Sequence, residues 1–556
     1  NMEGSSPPPP SHPPPPDKND WMGCGARAFC PTVLVDKAWP SGLACFSCLK
    51  GANYNVVLMN ILCMLFGLAE SIWTGTAMSA FLYTLSQDSN TRVGYVEAAQ
   101  GISTLLFALP VGYMADKYSA SVVIACGAIL SFIACGTTAF ATYEGAQDQD
   151  NWRLHYYLLL GAFCLWGIVN GMINGPAQAL YAASTPQGSR SKYYEILFVG
   201  WGLSSTIGPV ISIILFAYYG NQWTLTRLRN VILAGLSLEL LTAVCMLFFR
   251  DDCKLNEEET SAENTAEANT DSKQDGEREN GNYTLLGGND EEIGDSNTNA
   301  ALDLDKPKMV RTVTEQFLNE VSYCGGLLTR RSVPYILFCS DIIIAIGSGM
   351  TVKYFPLFFK NNVNMTPIEV QAIYAVTPIA MVMFSVVGTS LKDYLGRVQT
   401  IMLARVIGVG LLLTLALLAE AGVHSKYVLV PIYVIRTGIV NCTYPLDESI
   451  LMDFCPKDKR AQWKSLESVV SFGWCGSAVL GGVLGDKHGY SFTFTITAVI
   501  QGSSLALTSL LLPLVPIKES ARNEAKDVKQ LDEEGDLQEP LVNPVVDSDR
   551  LQNTIQ

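Results

Sequence analysis

The sequence predicts an all-α membrane protein with about twelve transmembrane helices in two six-helix bundles related by pseudo-symmetry. Charged residues make up only 16% of the 556 residues, and they concentrate at the two ends and in one central segment. Between these regions lie apolar runs close to the roughly 20 residues that a helix needs to cross a bilayer. A set of short sequence blocks also occurs twice, once in each apolar half.

The duplication rests on three blocks that recur in the same order, roughly 270 residues apart. Each copy predicts an apolar helix, a short basic loop and a second apolar helix. Chance could supply one such match, but three in series indicate a duplicated helical unit. The blocks are Gly167–Asn170, Pro186–Arg190 and Gly200–Ser204 in the first half, and Gly438–Asn441, Pro456–Arg460 and Gly473–Ser477 in the second.

Apolar runs of bilayer length set the expected limits of the spans. Gly and Pro interrupt the second and eighth spans, which membrane helices tolerate because neighbouring helices satisfy the freed backbone groups. The first bundle (53–249) is expected to hold spans at 54–84, 93–115, 121–143, 154–182, 194–219 and 229–249. The second bundle (333–517) is expected to hold spans at 333–359, 367–391, 399–420, 426–453, 464–485 and 490–516.

Polar segments flank and separate the two bundles. Residues 1–52 begin with a proline-rich tract, and residues 250–332 and 518–556 are acidic, so all three segments are expected to be disordered. Within the linker, residues 309–328 are compatible with a short helix lying on the membrane. Lysines and arginines in the short loops place both termini and the linker in the cytosol by the positive-inside rule.

Composition excludes several classes of function. The net charge of −15 comes mostly from the linker and the C-terminal tail, so it indicates no nucleic-acid partner. Most of the 15 cysteines lie in apolar runs, where they act as small hydrophobic residues, and the four histidines are scattered. We therefore predict no metal site, no cofactor and no enzymatic activity. Cys45 and Cys48 have zinc-knuckle spacing without a second pair, so acylated or inert thiols are favoured there.

Short motifs occupy the loops between the predicted spans. Gly112-Tyr-Met-Ala-Asp116-Lys117 follows the second span, and Asp393-Tyr-Leu-Gly-Arg397 follows the eighth. Pro186-x-x-x-Arg190 follows the fourth span, Asp453-x-x-Pro456-x-x-x-Arg460 the tenth, and Gly482–Gly489 repeats the theme after the eleventh. Together with the six-plus-six plan, these motifs resemble the major facilitator superfamily over residues 50–516. Ser119 stands where the motif of that family has its second glycine.

The resemblance implies a gating role for the loop residues. Gly112 would let two helices approach closely, and Asp116 would cap a neighbouring helix and pair with a basic residue. The alternative is that the loops only set topology. The expected gating residues are Gly112, Asp116, Lys117, Arg190, Asp393, Arg397, Asp453 and Arg460.

The resemblance also implies a substrate site near the bilayer midplane, lined by the first, fourth, seventh and tenth helices. Ionisable residues are costly at that depth and are candidates for function. Glu70 and Asp341, at nearly equivalent positions of the two halves, are the candidates for proton coupling. An internal ion pair between Glu70 and Arg436 is the alternative. The substrate-binding candidates are Arg436, Lys353, Asn170, Asn174, Gln178, Asn441, Tyr444, Trp73 and Tyr374.

Arg405 and Glu239 lie in spans that are usually peripheral to such a cavity, so structural pairing is expected for both. The predicted function is a proton-coupled secondary transporter that moves a small polar or anionic solute by alternating access. An exporter or facilitator of amphipathic or cationic compounds, and a non-transporting sensor, are the alternatives. The expected partners are a solute, the lipid bilayer and a proton gradient, around a monomer in the plasma membrane or a vacuolar or endosomal membrane.

Overall fold

A computed structural model describes residues 52–185, 190–255, 322–323, 328–455 and 466–515. These residues form twelve helical spans. The first bundle contains Tyr54–Trp73 with Thr76–Leu85, then Asn90–Lys117, Ala120–Gln147, Trp152–Ala183, Arg190–Tyr219 and Leu225–Met246. The second contains Val333–Gly349 with Phe355–Asn361, then Pro367–Leu395, Arg397–Glu420, Lys426–Asn441 with Tyr444–Phe454, and Glu467–Ser509, whose two arms are the eleventh and twelfth spans.

The predicted fold class is confirmed. The observed spans begin and end within four residues of the expected limits, except that the twelfth ends at Ser509 and not at 516. Among the described residues, ten helical stretches are long and apolar enough to cross a membrane. The tenth span, Lys426–Asn441 with Tyr444–Phe454, is not among them. The eleventh and twelfth count as one stretch, which turns at Gly489, where φ is 84°. Glycine has no Cβ and adopts this left-handed backbone without strain.

The second and eighth spans tolerate their glycines and prolines, and the breaks occur in other spans. The second and eighth helices remain continuous through Pro110 and Pro378, since a proline inside a membrane helix frees only backbone groups that its surroundings can satisfy. The first, seventh and tenth spans are the ones divided into two pieces. The first breaks at Gly75, and the seventh passes through a short 3-10 turn at Val352–Tyr354.

Equivalent glycines pack equivalent helices in the two bundles. A Cβ added to Gly167 would lie 2.2 Å from the carbonyl oxygen of Gln100, on the second helix. A Cβ added to Gly438 would lie 2.5 Å from a ring carbon of Phe384, on the eighth helix. The repeated blocks therefore bring the fourth helix against the second, and the tenth against the eighth, by the same close approach.

The bundles have two ends. We call the end at which the first helix begins, at Tyr54, the proximal face, and the end that carries residues 86–90 the distal face. The start of the linker belongs to the proximal face and is ordered, which corrects the predicted disorder from residue 250. Asn53 Nδ2 donates to the Cys253 carbonyl at 2.7 Å, and the Leu255 amide donates to the Ala183 carbonyl at 3.0 Å. These contacts attach residues 250–255 to the first and fourth helices.

Asp251 forms the centre of this attachment. Its carboxylate accepts hydrogen bonds from the hydroxyls of Ser119 and Ser121 and from the Ser121 amide, at the start of the third helix. Lys254 Nζ lies 2.6 Å from the other carboxylate oxygen. Burial acts to raise the pKa of Asp251, but these hydrogen bonds outweigh it and hold the pKa well below its usual range. Ser119, where the loop motif of the family has glycine, thus helps to cap the third helix.

The end of the linker also differs from prediction. Ser322–Tyr323 and Leu328–Thr329 form a short antiparallel ladder, not the end of a surface helix over 309–328. Backbone pairing between the two segments satisfies the groups that a helix would have bonded internally. Residues 309–321, and the segments 1–51, 256–321 and 516–556 for which disorder is expected, lie outside the described residues.

Candidate functional site

A cavity of about 680 Å³ lies between the two bundles. This volume is within the usual range of small-molecule sites. Its wall comes from the first, fifth, seventh, eighth, ninth, tenth, eleventh and twelfth helices. None of its lining residues belongs to the fourth helix, which corrects the prediction for that helix. The fourth helix instead packs behind the wall, against the second helix, through Gly167.

Arg436 lies on this wall and is 5% exposed. Its Nη2 donates to Gln501 Oε1 at 3.0 Å, and Gln501 Nε2 in turn donates to Ser348 Oγ at 3.0 Å. Arg436 Nε has no hydrogen-bond partner, and no carboxylate pairs with the guanidinium among the residues that the structure describes. Arg436 therefore presents to the cavity a positive charge that the neighbouring side chains leave uncompensated.

A second guanidinium, that of Arg405, is held by four side chains. Its Nη1 donates to Ser340 Oγ and to Thr508 Oγ1, each at 2.7 Å. Its Nη2 lies 3.2 Å from Asp447 Oδ2 and 3.5 Å from Asp341 Oδ1. Arg405 is buried, whereas the Asp341 side chain is 40% exposed toward the cavity that it lines. Two carboxylates thus share one positive charge.

Lys353 forms an ion pair across the two bundles. Its Nζ lies 3.0 Å from Glu97 Oε1, on the second helix, and both side chains are largely buried. The sequence indicated Lys353 as a counter-charge for the solute and did not single out Glu97. An acidic residue inside the predicted span 93–115 was the signal that could have identified it.

Glu70 occupies the boundary between the cavity and a small side pocket of about 20 Å³. Asn170, Trp73 and Glu239 line that pocket, and Trp73 Nε1 donates to Glu239 Oε2 at 3.4 Å. In the described part of the chain, the Glu70 carboxylate has no hydrogen-bond or ion-pair partner. The charges acting on it are those of Lys353, Glu97 and Glu239. The alternative pairing of Glu70 with Arg436 does not occur in this conformation.

The other candidates divide into three groups. Tyr374, Asn441 and Tyr444 line the cavity. Trp73 and Asn170 line only the side pocket. Asn174 and Gln178 are exposed on the fourth helix, outside the cavity wall. Among the described residues, no group of histidine, cysteine and acidic side chains has the arrangement of a metal site.

The distal face is closed by polar contacts between the bundles. Asp486, at the end of the eleventh helix, accepts from the Asn90 amide at 2.8 Å and from the Thr91 amide at 2.9 Å, and so caps the second helix of the other bundle. Tyr490 OH donates to Asn90 Oδ1 at 2.8 Å. Trp223 Nε1, beside the sixth helix, donates to a carbonyl before the eighth at 2.8 Å. Within the described part of the chain, the hydrogen bonds that join the bundles lie in this distal half.

The second and eleventh helices separate toward the proximal face. They are in close contact at Gly94 and Gly101, where an added Cβ would lie 2.6 Å and 2.4 Å from the eleventh helix. An added Cβ at Gly112 would meet no atom within 4 Å. Within the described part of the chain, the close helix approach predicted at Gly112 is therefore absent in this conformation.

The expected gating residues that the structure describes lie at the proximal face. Arg397 Nη1 bonds Asp453 Oδ2 at 2.8 Å, which ties the start of the ninth helix to the end of the tenth within one bundle. Lys117 lies over the rings of Tyr113 and Tyr118, and Asp393 is exposed. The side chains of Asp116 and Arg190, and the whole of Arg460, lie outside the described residues.

Comparisons with known proteins agree with this architecture. A family model described as the Major Facilitator Superfamily matches residues 59–466 and 337–546. A D-xylose–proton symporter superposes with a TM-score of 0.57 at 12% identity, covering 84% of this chain and 98% of the other. A bacterial homologue of the iron transporter ferroportin, in an inward-facing state, gives 0.54 at 12% identity, with 82% and 97% covered.

A bacterial homologue of the human lysosomal transporter Spinster, inward-facing and unoccupied, gives a TM-score of 0.52 at 11% identity, with 83% and 96% covered. Comparison with curated protein sequences finds no match. At these identities the structural likeness concerns the fold alone.

Proposed function

Since this chain belongs to the major facilitator superfamily, we propose that it is a secondary transporter that moves a small polar solute with an anionic group through its central cavity. Arg436 carries the proposal. A buried guanidinium without an acidic partner is costly, and a carboxylate or phosphate on the solute would supply both the missing charge and an acceptor for Nε. Gln501 holds the side chain in place by its 3.0 Å hydrogen bond.

Alternating access is the proposed mechanism. The cavity lies between two bundles that contact each other in the distal half and separate toward the proximal face. Opening of the distal face requires the contacts of Asp486 with Asn90 and Thr91 to break. Rocking of one bundle against the other about a central site is the motion by which secondary transporters of this architecture expose that site to each side in turn.

Glu70 is the proposed site of proton coupling. Its carboxylate faces the cavity near the middle of the first span without a partner in the described residues, and protonation removes the cost of a lone charge at that depth. The charge on Glu70 also acts on Lys353 and Glu97, which join the bundles. A change in its protonation therefore alters the stability of a contact that must break when the distal face opens.

The proximal face is proposed to be cytosolic, in the plasma membrane or in a vacuolar or endosomal membrane, with the protein acting as a monomer. Shortening of the acidic linker between residues 256 and 305 should preserve flux, because the entropic cost of closing a loop depends only weakly on its length. Residues 250–255 belong to the folded bundle and must be kept.

A second candidate, transport of cationic compounds, is favoured by Asp341 and Asp447, which outnumber the one guanidinium they share. Untargeted uptake profiling of cells that make the protein, compared with cells that make Arg436→Gln, tests the choice. Arg153→Gln, at an exposed position outside the cavity, is the matched control. We expect anionic solutes to enter with the control variant and not with Arg436→Gln. Uptake of cations only, unaffected by Arg436→Gln, would contradict the anion proposal, and binding without uptake would indicate a sensor.

A further inference from the structure

We propose that the solute is bipolar, with an anionic group at Arg436 and a cationic group at the carboxylates of Asp341 and Asp447. This inference rests on the proposed function, since it concerns the same cavity and takes the anionic site at Arg436 as given. It adds a second recognition element and a fixed separation between the two ends of the solute.

The two charged positions lie at different depths along the same pair of helices. Ser340 on the seventh helix and Thr508 on the twelfth hold Arg405 beside the two aspartates. Ser348 and Gln501, on the same two helices, form the chain of hydrogen bonds that ends on Arg436. Ser340 and Ser348 are eight residues apart and Gln501 and Thr508 are seven apart, which corresponds to about 10–12 Å along each helix axis. The helix spacing therefore gives the expected scale of the distance between the anionic and cationic subsites.

The subsite formed by Asp341, Asp447 and Arg405 lies nearer the proximal face and has an excess of negative charge. One guanidinium faces two carboxylates, so the group of three carries a net charge of −1 when both acids are ionised. Arg405 lies behind them, buried against Ser340 and Thr508, whereas the Asp341 side chain is 40% exposed. The groups that face the cavity at this subsite are therefore carboxylate oxygens, which are acceptors for an ammonium group.

The subsite at Arg436 lies deeper in the cavity and has an excess of positive charge. Arg436 is nine-tenths buried or more, its Nε is unpartnered, and its nearest polar contact is the neutral amide of Gln501. A solute with only an anionic group would neutralise this end and leave the aspartates uncompensated. A solute with only a cationic group would do the reverse. A bipolar solute of matching length neutralises both ends, and this is the arrangement with the lowest charging cost in a low-dielectric cavity.

An inorganic cation taken up together with a simple anion would satisfy the same two charges. The two sources of positive charge differ in one measurable respect. A separate cation makes the binding of a monocarboxylate depend on sodium or potassium, whereas an ammonium group on the solute makes binding depend on the covalent distance between its two ends.

The test uses the full-length chain in detergent and measures binding by thermal stabilisation. The probes are a linear monocarboxylate, a linear monoamine and ω-amino carboxylates of increasing length, each with choline, sodium or potassium as the salt. We expect an ω-amino carboxylate whose ends are about 10 Å apart to bind at least about tenfold more tightly than either monofunctional probe, whichever salt is present.

Variants assign the two ends. Arg436→Gln should reduce the affinity of the ω-amino carboxylate to that of the monoamine. Asp341→Asn should reduce it to that of the monocarboxylate, and Arg405 keeps Asp447 as its partner in this variant. Arg153→Gln and Glu420→Gln, at exposed positions outside the cavity, are the controls for the lost charges. Asp341→Glu, which keeps the charge, should retain the preference for the amine.

Two results would overturn the bipolar assignment while leaving the anionic site intact. One is equal affinity of the monocarboxylate and every ω-amino carboxylate, lost in Arg436→Gln. The other is monocarboxylate binding that requires sodium or potassium. If no probe responds to Arg436→Gln, the proposed anionic site fails as well. The comparison of probes on the unmodified protein decides the question even where a variant fails to fold.

Discussion

Lys353 Nζ lies 3.0 Å from Glu97 Oε1, so an ion pair links the seventh helix of one bundle to the second helix of the other. Removing one partner of a buried pair leaves an uncompensated charge and costs about 3–5 kcal/mol. Part of that cost falls only on the conformation in which the bundles meet. The pair therefore contributes to the choice between the distal-closed conformation and a distal-open one.

Glu97→Gln should shift the population toward distal-open molecules, because Lys353 would lose its counter-charge in the closed conformation. Spin labels at Gln87 and Lys487, exposed residues of the two bundles at the distal face, would report a longer distance. Glu369→Gln is the control, since Glu369 pairs with Lys426 inside one bundle at 2.5 Å. An unchanged distance distribution in Glu97→Gln would show that the pair does not bias the conformation.

Asp486→Asn should loosen the cap on the second helix. The two carboxylate oxygens accept hydrogen bonds from the backbone N–H groups of Asn90 and Thr91. An asparagine side chain has only one acceptor oxygen, so its NH2 group would face one of these N–H donors. We expect amide hydrogen exchange at residues 90–92 to accelerate by at least about tenfold. Lys487→Gln, a change at the next and exposed residue, should leave exchange as it is. Equal protection in both variants would mean that Asp486 does not hold the distal face closed.

Asp251→Asn should destabilise the proximal face by about 1 kcal/mol, the typical contribution of a helix cap. Because the pKa of Asp251 is lowered in the folded protein, its contribution is present above the usual carboxyl pKa and is lost as the pH falls through the folded value. The difference in thermal stability between wild type and variant should therefore be full at neutral pH and shrink in strong acid.

Asp252→Asn is the control for Asp251→Asn. Asp252 pairs with Arg250 at 2.6 Å, but both side chains are more than half exposed, and such pairs contribute little. If Asp252→Asn destabilises the protein as much as Asp251→Asn does, the cap on the third helix is not the cause.

The spans were predictable because the signal for them is local: an apolar run of bilayer length specifies a helix whatever its neighbours are. The repeated blocks Gly200–Ser204 and Gly473–Ser477 each place a tryptophan against a helix of the same bundle. Trp201 lies against Gly67 of the first helix, and the Trp474 carbonyl lies where a Cβ of Gly349, in the seventh, would be. Both tryptophans also line the cavity.

The pairing of charges was not predictable in the same way. Whether Lys353 faces a solute or an acid depends on Glu97, more than 250 positions away in the chain, and on how the bundles dock. Arg405, assigned to structural pairing from its span, lies on the cavity wall because its partner Asp341 does. Such contacts follow from the angle between helices of different bundles, for which a single sequence has no local signal.

Proton coupling by Glu70 is the prediction closest to the proposed function. Glu70→Gln keeps the size and hydrogen-bonding capacity of the side chain but cannot ionise. In proteoliposomes loaded with a solute identified by uptake profiling, the variant should exchange that solute across the membrane at near the wild-type rate and fail to accumulate it against a gradient driven by pH. The reason is that Glu70 faces the cavity without a partner in the described residues, so its proton is free to be loaded from one side and released to the other.

Two comparisons make the Glu70 test decisive. Glu420→Gln, an exposed acid at the end of the ninth helix, should accumulate solute normally. Asp341→Asn, at nearly the same position of the other bundle, should lower affinity and keep the pH dependence, because Asp341 pairs with Arg405 whereas Glu70 has no such partner. Accumulation by Glu70→Gln with wild-type pH dependence would remove Glu70 from the coupling mechanism. Loss of accumulation in Asp341→Asn alone would assign the proton to the second bundle. In that case Arg405 would have to release one of its two carboxylate partners, Asp341 or Asp447, at each turnover.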